Sequence, residues 1–400
     1  MTGHRWWHPT PLVFLTVWLV LMAVGPSRLF RDPGTFWHTR VGELLWQEGF
    51  FRQDPFTFTF GGNLWIPHQW LGEMGMAWLY WWGGFELQLW AAAVLLAGIF
   101  ALLGQRLLTA GWHPVAMAAA VAMALAAAGT HFHVRPHLAT IAGMAIIAIL
   151  LAEVETGRAP LRKLSWLVPL LVLWANLHGG VLGGWGSLLI TFGGWFLLWR
   201  MGGPSPLRHK QDLFLLVAVL LLPPLLMLAN PYGWDLCRAW QSILDEPVLR
   251  QIIQEHRPLS AFDPAAWPAW FLIAAYGFLL LGLPKRAWRV TWFLPLLWAV
   301  QAVERCRHAA LFVVVVLPIL AAFWPQTCWA RMAQSTRPDW FRSAPYHWPC
   351  PWRSWILPLS VLLMSLVLQA GNLSLPPLSQ PDAIPPSTEW PVGVLPILQS

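Results

Sequence analysis

The sequence predicts an all-α fold, a polytopic membrane bundle of about eleven transmembrane helices with a long first extracytoplasmic loop that contains interfacial helices. Three observations carry this reading. Of 400 residues, 57% are apolar and 11% are charged, whereas an ordinary soluble domain is about 25% charged. Uncharged runs recur near the length of about 20 residues that a hydrocarbon core of about 30 Å demands. The Lys and Arg between those runs crowd into alternate loops. A water-soluble globule and a disordered chain are excluded by the apolar content. Collagen and a disulfide scaffold are excluded by 31 Gly without a period and by only four Cys.

The first run lies between His8 and Arg28, with basic Arg5 ahead of it and no A-x-A cleavage site. It reads as an uncleaved signal anchor. In the first loop, residues 35–48 read as an amphipathic interfacial helix. Trp37, Val41, Leu44 and Leu45 share one stripe, and Thr39, Arg40, Glu43 and Gln47 face away. The apolar piece 75–82 is too short to span, so it is expected to re-enter or lie flat before the span that begins near Glu86. Further spans are expected at about 87–105, 114–130, 138–152, 164–177, 179–199, 213–229, 264–284, 290–303, 309–325 and 354–371. Each is read as a helix, because a segment in lipid must satisfy its own backbone hydrogen bonds. The runs 138–152, 164–177 and 290–303 are short, which places them inside the bundle or extends them into polar flanks. The resulting division is a transmembrane unit over 1–371, in which 28–86 form the first outer loop, and an extracytoplasmic tail over 372–400.

Charge orients the chain. With a cytoplasmic N-terminus, the inner connections hold 15 of the 25 basic residues, including Lys163, Lys210 and Lys285. The outer side holds Arg28, Arg31, Arg40, Arg52, Arg135, Arg238, Arg250, Arg257, Arg305 and Arg307, together with most of the acids. This positive-inside pattern places the protein in the cell membrane with an extracytoplasmic C-terminus. The net charge of +7 therefore reflects topology and not a nucleic-acid partner. The 31 Trp against 4 Tyr fit rings at the headgroup level, as at Trp81/Trp82 and Trp352/Trp355. Cys237 and Cys306 fall on the outer side, where a disulfide forms only if the fold brings them together.

Side chains capable of chemistry concentrate on that outer side. The first loop contains D-P-G-T-F-W-H-T-R-V-G-E (32–43), Q-D-P-F-T-F-T (53–59) and W-I-P-H-Q-W-L-G-E (65–73). Later outer turns read H-F-H-V-R-P-H (131–137), W-A-N-L-H-G-G (174–180), N-P-Y-G-W-D (230–235), Q-E-H-R-P (254–258) and E-R-C-R-H (304–308). Eight of the 13 His lie there, and such convergence at one membrane face is how a site at the outer leaflet would look. Plainer roles stand beside this one. Asp32 before Pro33 suits a helix cap, and Asp54 before Pro55 suits an Asx-turn. Asn176 and His178 suit a tight turn, while Glu304, Arg305, Arg307 and His308 suit a snorkelling ion-pair cluster. His131, His133 and His137 read as solvated histidines in preference to metal ligands, because no acid or Cys stands at a recognisable metal spacing.

As a set, these motifs resemble the first outer loop and the later turns of a bacterial family of multi-pass proteins that read D-x-D-x-W-W-H-L-x-x-G, D-x-F-S-x-T and W-x-x-H-E-W-L-x-E in order. That family is similar to the GT-C class of membrane glycosyltransferases, including the mannosyl- and aminoarabinosyl-transferases that use polyprenyl-phosphate sugars. Two positions depart from its pattern. Gly34 stands where the family has a second acid, and His68-Gln69-Trp70 replaces H-E-W. The family often continues past a P-V-G-x-V segment into a soluble outer domain, so 391–400 suggest a short or truncated member.

The resemblance implies transfer of a sugar from a polyprenyl-phosphate donor to an acceptor hydroxyl on a glycan, lipid or protein at the extracytoplasmic face. It places Asp32 as the catalytic base and Arg135, Arg305, Arg307, His137 and His308 around the departing phosphate. His68, Glu73, Asn176 and His178, with His38, Asp54 and Glu255, would hold the substrate. No metal ligand is assigned, and a divalent metal stays open. The alternatives are a non-catalytic GT-C-like subunit and a transporter or flippase for a lipid-linked substrate.

Overall fold

A computed structural model describes residues 7–245, 254–342 and 350–380. Among these residues there are fourteen α-helices and no strand. They are α1 (Pro9–Arg28), α2 (Gly34–Glu48), α3 (Trp70–Thr109), α4 (Pro114–Ala128), α5 (Leu138–Glu155), α6 (Leu167–Leu177) and α7 (Val181–Arg200), then α8 (Lys210–Met227), α9 (Trp234–Asp245), α10 (Trp267–Leu281), α11 (Leu294–Glu304), α12 (Ala309–Phe323), α13 (Cys328–Thr336) and α14 (Ile356–Ala370). Nine helical segments are long and apolar enough to cross a membrane, and Val290–Glu304 is a shorter apolar helix. The expected short run at 138–152 extends to Glu155, whereas 164–177 divides into a 3-10 turn, Leu161–Trp166, and the eleven residues of α6. The expected tail from 381 onward and Arg250 lie outside the described residues.

The centre of the bundle is α12, in which every residue from Ala309 to Phe323 is buried. It packs against α3, α4, α5, α10 and α11. A helix apolar on all faces belongs in a core, and its four consecutive Val residues (313–316) are tolerated because no water competes for the backbone there. The peripheral helices show the opposite exposure. Phe214 and Leu225 of α8, Phe271 and Leu281 of α10, and Leu363 and Val367 of α14 are all more than half exposed. Apolar surface of this extent on the outermost helices requires a lipid surrounding. The protein is a multi-pass helical membrane protein.

Contacts sort the connections into two ends. At one end Arg106 pairs with Glu153, and Glu155 accepts from Trp195 Nε1 at 2.8 Å and from the N–H groups of Val290 and Thr291. His113 N–H donates to Trp340 O there at 2.7 Å. At the other end Val134 N–H donates to Leu29 O, Cys306 N–H to Arg257 O and Leu259 N–H to Val303 O. The loops rich in Lys and Arg thus meet one another, and the loops rich in His and acids meet at the opposite end.

The first polar loop is built on α2 and the first half of α3. Gly84, at φ +61°, breaks α3 into 70–82 and 85–109, a backbone state that glycine adopts without a Cβ penalty. Gln88, beyond the break, reaches back to donate to Met76 O at 2.8 Å and to Thr39 Oγ1 of α2 at 2.9 Å. Val41, Leu44 and Leu45 are buried as the amphipathic pattern predicts, but Trp37 and Thr39 exchange places with that expectation. Because α2 packs on α3 and not on lipid, its covered face takes in His38 and Thr39, which find partners on α3. Trp37 stands outside, against Phe56 and Trp65. No disulfide joins Cys237 and Cys306, and the Cys306 thiol donates to Glu255 O at 3.5 Å instead.

The two helices approach most closely at Gly42, where an added Cβ would lie 2.0 Å from Glu73 O and 2.9 Å from Ala77 Cβ. Gly42→Ala is expected to push α2 off α3 and cost about 1–3 kcal/mol by overpacking. Thermal unfolding of the detergent-solubilised variant would show it as a lowered midpoint, whereas Gly98→Ala, which meets nothing within 4 Å, should leave the midpoint unchanged.

Candidate functional site

The site is centred on Arg135. After α4, a 3-10 turn over Gly129–His131 leads into an extended stretch in which Phe132 and Val134 are buried. Phe132 packs edge-on against Phe100, and Val134 is tied to Leu29 at the end of α1. These anchors set Arg135 beside Asp32, the residue that leads from α1 into α2. Arg135 Nη1 donates to Asp32 Oδ2 at 2.6 Å and to Glu255 Oε1 at 3.3 Å. Asp32 Oδ1 meanwhile accepts from Gly34 N–H at 2.6 Å. One Asp32 oxygen thus accepts from the first N–H of α2, whose N-cap is Pro33, and the other holds the guanidinium.

Gly34 lets this happen. A Cβ there would stand 2.8 Å from Asp32 Oδ1 and 3.0 Å from Arg135 Nε. The carboxylate beside Asp32 comes instead from Glu255, on a short 3-10 turn, Gln254–His256, that lies against the start of α12 through the bonds of Arg257 and Leu259. Burial alone would raise the Asp32 carboxyl, but Arg135, the Gly34 N–H and His133 together hold it below its ordinary value. Burial pushes Glu255 up, Arg135 opposes this, and the neighbouring Asp32 carboxylate adds to the rise. Two acids on one guanidinium are thus separated in acidity, Asp32 as the ionised member and Glu255 as the more ready proton holder.

Imidazoles surround the ion pair. His131, His133 and His137 lie with ring centroids 5.1 to 6.2 Å apart, and His178 is 6.4 Å from His137. His137 Nε2 donates to His131 O at 3.0 Å. His178 Nδ1 accepts from Gly180 N–H at 2.9 Å and from the Thr140 hydroxyl at 2.7 Å, and that hydroxyl accepts from Trp174 Nε1. Burial, reinforced by Arg135, takes His137 down to about 3. Burial followed by the neighbouring His137 and His68 sets His178 well below its ordinary value. His133 is lowered by burial against the pull of Asp32. These rings are neutral at physiological pH, available as hydrogen-bond partners or metal ligands.

A second polar group adjoins the first. His38 Nδ1 and Glu73 Oε1 are 2.9 Å apart and both residues are buried. Glu73 Oε2 and the Tyr232 hydroxyl are buried without a partner among the described residues. Burial, then the Glu73 carboxylate, pushes the Tyr232 phenol up. His68, beside Gln69 at 3.1 Å, is taken down to about 4 by burial and by His38.

The remaining expected site residues have other engagements. Asn176 accepts from Trp70 Nε1 at 3.0 Å and donates to Val172 O, so its carboxamide holds α6 to α3. Asp54 closes its own turn on Phe56 and Thr57. Arg305 ends α11, and His308 turns to Gln301 O and the edge of Trp298. Arg307 faces His256 Nε2 at 2.7 Å and stands close enough to Glu255 for that carboxylate to act on it. No signal in the chain links Glu255 to the 131–137 turn, because 120 residues separate it from Arg135. In space, His131, His133 and Glu255 place one ligand atom each within 4.8 Å of one another. An apolar cavity of about 860 Å³ between α1 and α4 opens near His8 and Pro114, at the opposite end of the bundle from Asp32.

Comparisons with protein-family models, with curated proteins and with solved structures find nothing that matches this chain.

The depressed acidity of His68 has a stability consequence. Its unfolded form takes up a proton near 6.5 and its folded form only near 4, so between those values the unfolded chain binds more protons and stability falls as pH falls. The thermal midpoint in detergent is expected to decline from pH 7 to pH 4.5, and His68→Gln should flatten that slope; an unchanged slope would remove His68 from it.

Proposed function

We propose that the protein is a membrane glycosyltransferase that moves a sugar from a polyprenyl-phosphate donor to an acceptor hydroxyl at the extracytoplasmic face. The observation that carries this reading is the Arg135 guanidinium held between Asp32 and Glu255 at the mouth of an apolar bundle. A planar guanidinium is suited to a phosphate diester, and a carboxylate in contact with it is suited to take a proton once the guanidinium is drawn away. In this reading the donor phosphate takes the Arg135 donors and releases Asp32, whose carboxylate then accepts the acceptor hydroxyl's proton. The acceptor oxygen forms its bond to the anomeric carbon as the bond from that carbon to the phosphate oxygen breaks. The lipid phosphate leaves with the electron pair, neutralised by Arg135 and Arg307. The positive-inside distribution supports the side, and the surrounding apolar helices give a prenyl chain a path in the bilayer. The water-poor mouth strengthens each of these charges.

The test uses purified protein in lipid nanodiscs with radiolabelled polyprenyl-phosphate sugars and acceptor-containing membrane extract. Arg135→Ala is expected to lose donor binding in native mass spectrometry. Asp32→Asn is expected to retain donor yet transfer it at least about 100-fold more slowly. A wild-type protein that binds no donor would overturn the reading, and donor that changes leaflet without transfer would mark a carrier instead.

A further inference from the structure

The H-F-H turn and Glu255 form a constellation that the reading above does not use. Phe132 is extended (φ −89°, ψ 106°) and inserts into the core against Phe100. In extended backbone, residues i and i+2 project to the side opposite the one between them, so anchoring Phe132 inward presents His131 and His133 together. Their rings are 5.7 Å apart and nearly perpendicular. His133 Nε2 stands 3.9 Å from Glu255 Oε1, too far for a hydrogen bond, and His133 Nδ1 is buried without a partner among the described residues. The turn is pinned from behind, because His137 Nε2 donates to His131 O and Arg135 N–H to His133 O at 2.9 Å. All three residues are partly exposed, which leaves an ion a way in.

The geometry points to a divalent transition-metal site, of the zinc class, made by His131, His133 and Glu255. Two imidazoles and one carboxylate with a vacant fourth position match the ligand set of zinc sites that hold an exchangeable oxygen ligand. Ligand atoms around a tetrahedral zinc are about 3.3 Å apart, so atoms that now lie within 4.8 Å of one another close by at most about 1.5 Å through side-chain rotation when the ion enters. Asp32 and Glu255 balance Arg135 and Arg307, so a divalent ion leaves this end of the bundle net positive. The loaded site then attracts an anionic oxygen to the fourth position, and this part of the inference rests on the transferase reading, in which that oxygen belongs to the donor's phosphate. Arg135 is also a competitor, since its Nη1 occupies Glu255 Oε1 at 3.3 Å and must release it to the metal.

The test is Zn²⁺ binding by the full chain, purified in detergent through a histidine-free tag, stripped with chelator and followed by isothermal titration, with Co²⁺ absorption as a second probe of coordination. The expected result is one Zn²⁺ per chain. His131→Ala, His133→Ala and Glu255→Gln should each weaken binding by about 100-fold or more, while His113→Ala, at the other end of the bundle, leaves it unchanged. Arg135→Gln should tighten Zn²⁺ by removing the competing cation, a direction opposite to its loss of donor. His133→Gln and a thermal melt of each variant separate a lost ligand from a lost fold. Absence of stoichiometric Zn²⁺ on folded wild type, or binding that all three ligand variants retain, overturns the site. Stoichiometric Zn²⁺ without sugar transfer keeps the site and overturns the transferase reading, whereas full transfer by chelated protein that binds no Zn²⁺ does the reverse.

Discussion

A guanidinium at the edge of a low-dielectric bundle must be paired, and the polar end of this protein is arranged around that requirement. Arg135 reaches a turn between α1 and α2 and a second turn before α10, segments 103 and 120 residues away. Neither is joined to it by a helix or by a regular ladder of hydrogen bonds. Removal of one carboxylate leaves the positive charge half satisfied, and removal of the guanidinium leaves two acids facing each other. The imidazoles beside it are neutral chiefly because burial penalises the charged ring, and at His137 Arg135 adds to that effect.

The apolar bundle supplies the complementary constraint. With α12 buried on every side, the centre has no room for water or for ionisable groups, and chemistry is displaced to the ends. The two ends divide the work. At one of them Glu155 is used as an acceptor for backbone and side-chain donors on both oxygens, a structural carboxylate already fully engaged. At the other, Glu73 Oε2 and His133 Nδ1 are without a partner among the described residues. Unpartnered atoms occur at the Glu155 end too, at Arg106 Nε and Trp112 Nε1, but they belong to no carboxylate or imidazole.

Most of the architecture was legible in the sequence because a span declares itself locally. A run of apolar residues with charges at its ends is enough, and the helices fall close to those runs. The exceptions have local causes. The 164–177 run opens with a 3-10 turn, and 70–82 joins the following span across a glycine break instead of standing apart. The stripe on α2 misplaced Trp37 and Thr39 because the periodic pattern tells which face is covered only when the cover is apolar. Here the cover is a helix with Glu73 and Gln88 on it, so a polar face was the buried one. The site was legible as an inventory and not as an arrangement. Asp32 and Arg135 could be named from their loops, but the approach of Glu255 to the H-F-H turn depends on packing between α4, α11 and α12. Spacing along the chain does not encode that packing, whereas the turn that Asp54 closes on Phe56 and Thr57 was legible from Asp54-Pro55 because its partners are local.

Gly34 bears on how this sequence can change. The space a side chain would need at that position is occupied by Asp32 Oδ1 and the Arg135 guanidinium, so position 34 and position 135 share one volume and can be filled from only one side. An acidic residue introduced at 34 into the present background meets a collision before it meets a partner, and shortening Arg135 first leaves two carboxylates without their cation. Each single step is unfavourable, although both end states are chemically sensible. The two positions are therefore coupled, and a side chain at 34 is accommodated only as far as the Asp32 carboxylate and the Arg135 guanidinium move aside for it.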